Sequence, residues 1–340
     1  MFEEVVPPDP GPVLDLLSAF RCSKAMFAAV SLGIFDALRT GPKSLPELAT
    51  ELSVNADALE RLLDACVGLE FLTWSDNQYG NAPVAQRYLT SDSPHRFTGY
   101  ILYSNDVMWQ MWGNLENAIR EGTHRWQETY GWDGPLFSHF FRTEEATREF
   151  LMGMHGFGMI SSPHIVSAFD LSRFQRLADL GGATGHLAIA ACTRWLQLHA
   201  VVFDLPAAVP LAREIVGSST VANRIEVHSG DFFTDPLPAA DLYALGRILH
   251  DWSEEKALKL LQLIHAALPS GGGLLIAEKL LADDKSGPRW AQMQNLNMLV
   301  CTEGKERTLG DYERILRQVG FTQVLGQVTP SPLDAVLALK

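Results

Sequence analysis

Leu177-Ala178-Asp179-Leu180-Gly181-Gly182-Ala183-Thr184-Gly185-His186-Leu187 is the stretch on which the fold of this chain turns. A short apolar run ends on an acid, three glycines follow within five positions, and an alanine-rich, helix-favouring stretch opens at Leu187. A buried parallel strand that turns sharply into a helix has this form. A side chain at Gly181 or Gly185 would keep a ligand away from the backbone, and the helix start beyond offers free N–H groups. The turn departs from the dinucleotide fingerprint, because Ala183 and His186 stand where a G-x-G-x-x-G begun at Gly181 wants glycine. By itself it reads equally as a seat for a nucleoside-type cofactor and as an ordinary tight turn.

Downstream, short apolar strands alternate with helices. Ala200 to Phe203 is a strand ending at Asp204, Pro206 to Val216 a helix, and Ile225 to Val227 a strand leading into Gly230-Asp231-Phe232. Leu242 to Leu245 ends at Gly246-Arg247, Ser253 to Leu268 is a helix, and Leu274 to Ala277 ends at Glu278. Leu309 to Val319 is a further helix and Asp334 to Leu339 a last apolar strand. This alternation predicts an α/β fold over residues 170–340, a doubly wound, mostly parallel sheet with helices on both faces.

Upstream, the prolines of Met1 to Pro12 predict an extended arm. Val13 to Leu38 has helical spacing with a break near Gly33; Ser44-Leu45-Pro46-Glu47 and Asn55-Ala56-Asp57 each open a helix. Phe71 to Trp74 and Gln78 to Gly80 flank the turn Ser75-Asp76-Asn77 as a hairpin, so residues 1–96 read as a mostly helical winged-helix domain. Between Asn55 and Gly68 the only basic side chain is Arg61, against Asp57, Glu60 and Asp64, which points to protein association and away from nucleic acid. Residues 97–169 are aromatic-rich and helical, punctuated by Gly134 and Pro135. Tyr103, Trp112, Met154 and Phe157 there are candidates for an apolar acceptor pocket, core packing being the plainer reading of any one of them.

A net charge of -13 opposes a polyanionic partner. No apolar run is long enough to cross a bilayer, and the acidic opening Met1-Phe2-Glu3-Glu4 is unlike a basic secretory leader, so a cytoplasmic address is expected. Cys22, Cys66, Cys192 and Cys301 lie far apart with no metal-binding spacing, so no metal is expected.

In an open parallel sheet, ligands collect at the carboxyl ends of the strands. Asp204, about 20 residues past the glycine turn, suits ribose hydroxyls, with a helix cap before Pro206 as its structural alternative. Asp231 suits an adenine amino group while Phe232 packs on the base. His250, in Arg247-Ile248-Leu249-His250-Asp251-Trp252, is the one group at these ends that titrates near neutral pH. Glu278 at the next strand end and Glu306 in Lys305-Glu306-Arg307-Thr308 are placed to orient it and stabilise its charged form.

As an ordered set these runs, together with Phe203-Asp204-Leu205-Pro206 and Asn297 to Thr308, resemble the small-molecule S-adenosylmethionine-dependent O-methyltransferases, with the acetylserotonin O-methyltransferase branch as the nearest likeness. The resemblance spans nearly the whole chain. It implies S-adenosylmethionine as cofactor, S-adenosylhomocysteine as product, a small aromatic hydroxyl acceptor, and a homodimer formed by the N-terminal domain. It implies His250 as catalytic base, with Asp251, Glu278 and Glu306 around it. Asp204, Gly230, Asp231, Phe232 and Arg247 become cofactor contacts, joined by Asp179, Gly181, Gly182, Gly185, Leu205, Trp252 and Phe141. Asn297 becomes a substrate contact, with Met298 and Cys301 in the same run. Cys301 stands where that branch has a glutamine, and Phe141 and Gly158 stand where it has a donor-side tyrosine and tryptophan, which implies a different acceptor pocket. N- or C-methylation, or cofactor binding without turnover, remain the alternatives on this fold.

Overall fold

The computed structural model describes residues 8–134 and 136–340; most of the expected proline-rich arm, and Pro135, lie outside the described residues. Contacts divide the chain into two compact units, Met1–Asp106 and Val107–Lys340.

In the first unit a helix spans Gly11–Ser31, so it begins before the expected Val13. Pro12 sits in its first turn, where the N–H that proline lacks would have had no helical partner. Gly33, at φ +73°, lets the chain break and restart as Ile34–Ala37. Glu47 accepts hydrogen bonds from the Ser44 N–H (2.8 Å) and hydroxyl (2.6 Å) at the start of the helix Leu45–Glu51. Asn55 caps Ala56–Gly68 through the Ala58 N–H. Strands β1 (Leu72–Ser75) and β2 (Gln78–Asn81) pair antiparallel across Asp76 and Asn77, both at positive φ, as a mirror-type two-residue hairpin turn requires. Ile34, Phe35, Leu48, Leu63, Cys66 and Tyr79 form the core of this unit. Val13, Leu14, Leu16, Leu17 and Phe20 are more than half exposed along its first helix.

The second unit opens with short helices and the longer Glu144–Ile165, capped by Thr143. Its sheet has seven strands: β3 (Arg176–Leu180), β4 (His199–Asp204), β5 (Ile225–Ser229), β6 (Leu242–Gly246), β7 (Gly273–Glu278), β8 (Gln323–Gln327) and β9 (Asp334–Leu339). They lie in the order β5-β4-β3-β6-β7-β9-β8, parallel from β5 to β7, with β9 antiparallel to both neighbours. Alternate residues feed two cores: Leu177, Leu242, Ala244, Leu275 and Ala277 on one face; Leu180, Tyr243, Leu245, Leu274 and Ile276 on the other. The chain runs outward from β3 through β4 and β5 and then returns to β6, so the switch between β3 and β6 leaves a crevice at their carboxyl ends. The helix expected from Pro206 begins at Val209, with Pro210 in its first turn. Strand β8 and the helix Arg289–Cys301 have no counterpart in the sequence reading. Among the described residues no helix is long and apolar enough to cross a membrane.

The end of the helix His186–Arg194 is closed from a distance by Arg224, which donates to the carbonyls of Cys192, Trp195, Leu196 and Leu198 at 2.6–3.2 Å. Arg224→Ala strands these acceptors and should cost about 2 kcal/mol. A lower urea midpoint at unchanged m-value would show it; an unchanged midpoint would refute it.

Candidate active site at the carboxyl ends of the sheet

The glycine turn is built by two acids. Asp204 does not cap the following helix. Its carboxylate accepts the N–H of Ala183 within the turn and of Leu205, each at 2.7 Å, which ties the end of β4 to the turn after β3. Asp179 is fully buried at the end of β3, and one of its carboxylate oxygens has no partner among the described residues. Burial raises Asp179 to about 7 and Asp204 to about 6. Gly181 is needed for its positive φ and because a Cβ there would lie 2.4 Å from Ile248, on the turn that carries His250. Gly185 is at φ +78°, and a Cβ there would also lie 2.8 Å from Val216 and 3.1 Å from Val202, so backbone and packing both favour glycine.

Around this turn, Phe232 and Phe233 lie edge to face, and Phe233 meets Trp252 at 5.1 Å. Asp231 accepts from the Phe233 N–H, and Gly230 lets Phe203 pass against the backbone. Arg247 holds a positive φ of +57° at the end of β6, with its guanidinium 4.7 Å over Phe157. Phe141 packs on Leu151, Met152, Ala208 and Leu211, a cluster that Ala183 of the glycine turn also joins.

His250 lies on the 3-10 turn Leu249–Asp251, immediately beyond β6, and is 5% exposed. Its Nδ1 is 2.7 Å from Glu306 Oε1, and its Nε2 is 3.7 Å from Asp251 Oδ1. The two glutamates divide the work in a way that residue types alone did not reveal. Only Glu306 bonds the ring; Glu278 accepts the backbone N–H of Ile248 (3.2 Å) and His250 (3.1 Å) and the hydroxyl of buried Tyr312. Burial by itself would drive the ring neutral, but Glu306, Asp251 and Glu278 outweigh it and raise His250 to about 10. Asp251 is raised to about 7, mainly by burial. The ligand atoms of His250, Glu278 and Glu306 lie within 4.8 Å of one another, close enough for a metal ion. The ring Nδ1 and both Glu278 oxygens are already hydrogen-bonded, however, which is the arrangement of a proton-holding cluster.

The loop that brings in Glu306 is clamped to the His250 turn by its backbone. A Cβ on Gly304 would lie 2.2 Å from the His250 carbonyl, and Arg307, 1% exposed, donates to the Leu249 carbonyl at 2.8 Å. A Thr308–Asp311 capping box then starts the helix Leu309–Val319, which supplies Tyr312. Arg307 and Tyr312 escaped the sequence reading; the adjacency of Arg307 to Glu306 was the one available signal.

Asn297 and Cys301 share a face of Arg289–Cys301. Trp112 donates its indole N–H to Asn297 Oδ1 at 2.9 Å, and the Cys301 thiol lies 3.5 Å from the same oxygen and from Met108 sulfur. Burial, then the Asp251 charge, push the Cys301 thiol well up. Met298 is buried one residue after Asn297, with Thr302 on its carbonyl. Met154 is half-buried on Glu144–Ile165, and Tyr103, in the first unit, packs with Tyr100. The same long helix holds a second feature missed in the sequence: His155 bonds Thr184, and Ser162 bonds His186, whose ring fills the space a Cβ at Gly158 would need.

An O-methyltransferase domain model matches residues 112–322, and an O-methyltransferase dimerisation domain model matches residues 14–91. The chain belongs to the O-methyltransferase family. It is 39% identical over 330 residues to acetylserotonin O-methyltransferase of Gallus gallus, covering 95% of each chain. It is also 39% identical over 340 residues to a human probable bifunctional dTTP/UTP pyrophosphatase/methyltransferase protein, covering 99% of this chain but only 55% of that one. The crystal structure of human N-acetylserotonin methyltransferase in complex with SAM superposes with a TM-score of 0.92 at 35% identity, covering 100% of this chain and 99% of that one.

The proton on His250 links to stability with a definite sign. The folded ring keeps its proton to higher pH than the unfolded ring, whose ordinary value is 6.5, so this contribution is complete below about 6.5 and is lost as pH rises through about 10. Histidine-selective ¹⁵N NMR should show the ring titrating well above the usual imidazole range, and Glu306→Gln should lower its midpoint. An ordinary midpoint in the unaltered protein would contradict the assignment.

Proposed function

We propose that this chain transfers the methyl group of S-adenosylmethionine to a hydroxyl of a small aromatic acceptor, with His250 as general base. The observation that carries this reading is the buried Nδ1 contact of His250 with Glu306, at a strand end next to the glycine turn. The residues at that turn fit the donor. The unpartnered oxygen of Asp179 suits its ammonium group, the lone pairs left on Asp204 suit ribose hydroxyls, and Asp231 with Phe232 suits adenine. Gly182, Leu205, Gly230, Arg247, Trp252 and Phe141 complete that assignment.

When bound, S-adenosylmethionine supplies an electrophilic methyl on a sulfonium and leaves as a neutral thioether. Once the ring has given up its second proton, Nδ1–H directed to Glu306 leaves Nε2 as its basic atom. That atom accepts the hydroxyl proton as the acceptor oxygen attacks. An ordinary imidazole near pKa 6.5 falls roughly 3.5 units short of a phenol near 10, a gap of about 5 kcal/mol. The acids around His250 narrow the gap by favouring the protonated ring, so proton transfer can accompany methyl transfer. Asn297, with its oxygen held by Trp112, keeps its N–H₂ for the acceptor, and Cys301 offers a small apolar wall beside it. No metal is needed for these steps.

In this reading residues 1–96 form a homodimer, 97–169 serve the acceptor and 170–340 hold the donor. The exposed row Val13 to Phe20 supports the association. Four free cysteines agree with a reducing, cytoplasmic location.

With a panel of hydroxylated aromatics and labelled donor, His250→Ala should lower kcat about 100-fold or more while the variant still binds the donor. Full turnover in that variant would overturn the base assignment. Light scattering should find a dimer that Leu16→Glu with Phe20→Glu converts to monomer; an unchanged mass would remove that row from the interface.

A further inference from the structure

We propose that the buried acids around His250 form a site for a single positive charge, so that binding the sulfonium donor expels a proton from the ring whereas binding the thioether product does not. The inference rests on His250 being the base.

The charges facing the ring come from every element packed around it. Its own turn contributes Asp251, β7 contributes Glu278, and the loop after Arg289–Cys301 contributes Glu306. Tyr312 of the helix Leu309–Val319 and Cys301 face the cluster with pKa values raised by burial, so both are neutral. Of the two nearby arginines, Arg307 is directed to the carbonyls of Leu249 and Lys305, and Arg247 lies over Phe157. Above the Asp251 value of about 7, three carboxylates face two guanidinium groups, of which Arg247 also acts on Asp251, and an imidazolium makes up the balance. Glu306, 2% exposed and 2.7 Å from the ring, holds it there. In so dry a place a second cation beside Nε2 repels the first strongly. One of the two must go, and only the imidazolium can shed its charge by releasing a proton.

The chemical step then returns that charge. The S–CH₃ bond breaks and the O–CH₃ bond forms while the hydroxyl proton leaves oxygen for Nε2. Sulfur becomes neutral as the ring becomes cationic. The cluster carries the same charge before and after the step, and only the cation's address changes. Lowering the pH therefore weakens donor binding by competition with protons, and leaves product binding unaffected by this site.

Calorimetric titrations of the full chain with S-adenosylmethionine and with S-adenosylhomocysteine, in buffers of different ionisation enthalpy near pH 8, count the protons released. We expect an excess approaching one proton for the sulfonium ligand. Its affinity should rise by up to about tenfold per pH unit on the alkaline side of neutrality, with the thioether curve flatter. The two ligands also differ in their own amino groups, so the variants decide the origin. The excess should vanish in His250→Gln and shrink in Glu306→Gln, whose ring starts neutral; circular dichroism confirms that each is folded. Equal release for the two ligands in the unaltered protein, or an undiminished excess in His250→Gln, overturns the proposal. Loss of turnover in His250→Ala alongside equal release would leave the base assignment standing and remove only the charge exchange.

Discussion

Holding an imidazole in contact with a carboxylate where neither meets water is the constraint that shapes the catalytic half of this protein. His250 and Glu306 are 56 residues apart, and each is 5% exposed or less. An unpaired charge at that depth would cost several kcal/mol, so each group needs the other in place. The surroundings enforce the meeting. Glu278 pins the backbone of the His250 turn, Arg307 pins the carbonyl just before it, and Gly304 allows the loop bearing Glu306 to lie directly on that turn. Removing one partner leaves the other buried and uncompensated, so these residues act as a unit.

The sheet supplies the second half of the geometry. Because strand order reverses at β3, the turn after β3 and the turn after β6 sit side by side, and a Cβ on Gly181 would touch Ile248. Asp204 ties the next strand end to the same turn through the Ala183 N–H. A ligand seated on the glycine turn is therefore close to His250 by topology, before any side chain adjusts. The strain at Arg247, a non-glycine residue at positive φ, falls at this junction, where strained backbone is commonly found in working sites.

Much of this was legible in the sequence because the residues concerned face one constraint each. The glycine turn, the acids at the strand ends and the amphipathic helix Leu309–Val319 announce themselves by residue type or period. What stayed hidden depends on partners distant in the chain. Strand β8 is an edge strand with only Val324 buried, so it shows no apolar alternation. Arg289–Cys301 has apolar and polar residues spread around its whole circumference, because its sides meet different neighbours. Asp204 reads as a helix cap until the helix is seen to start five residues later. The separate duties of Glu278 and Glu306, and the roles of Tyr312 and Arg307, follow from hydrogen bonds that no spacing rule encodes. The Gly158–His186 contact shows the same limit: a glycine inside a helix reads as a weakness until the ring that occupies its missing side chain is found.

The central claim is that one imidazole, steadied by Glu306, takes the proton of the hydroxyl that receives the methyl group. A crystal structure with S-adenosylhomocysteine and a methylated acceptor's hydroxyl precursor tests it most directly. The acceptor oxygen should lie roughly 2.6–3.2 Å from His250 Nε2, on the line from the thioether sulfur. An acceptor hydroxyl bound away from that nitrogen, with the product seated on the glycine turn, would contradict it.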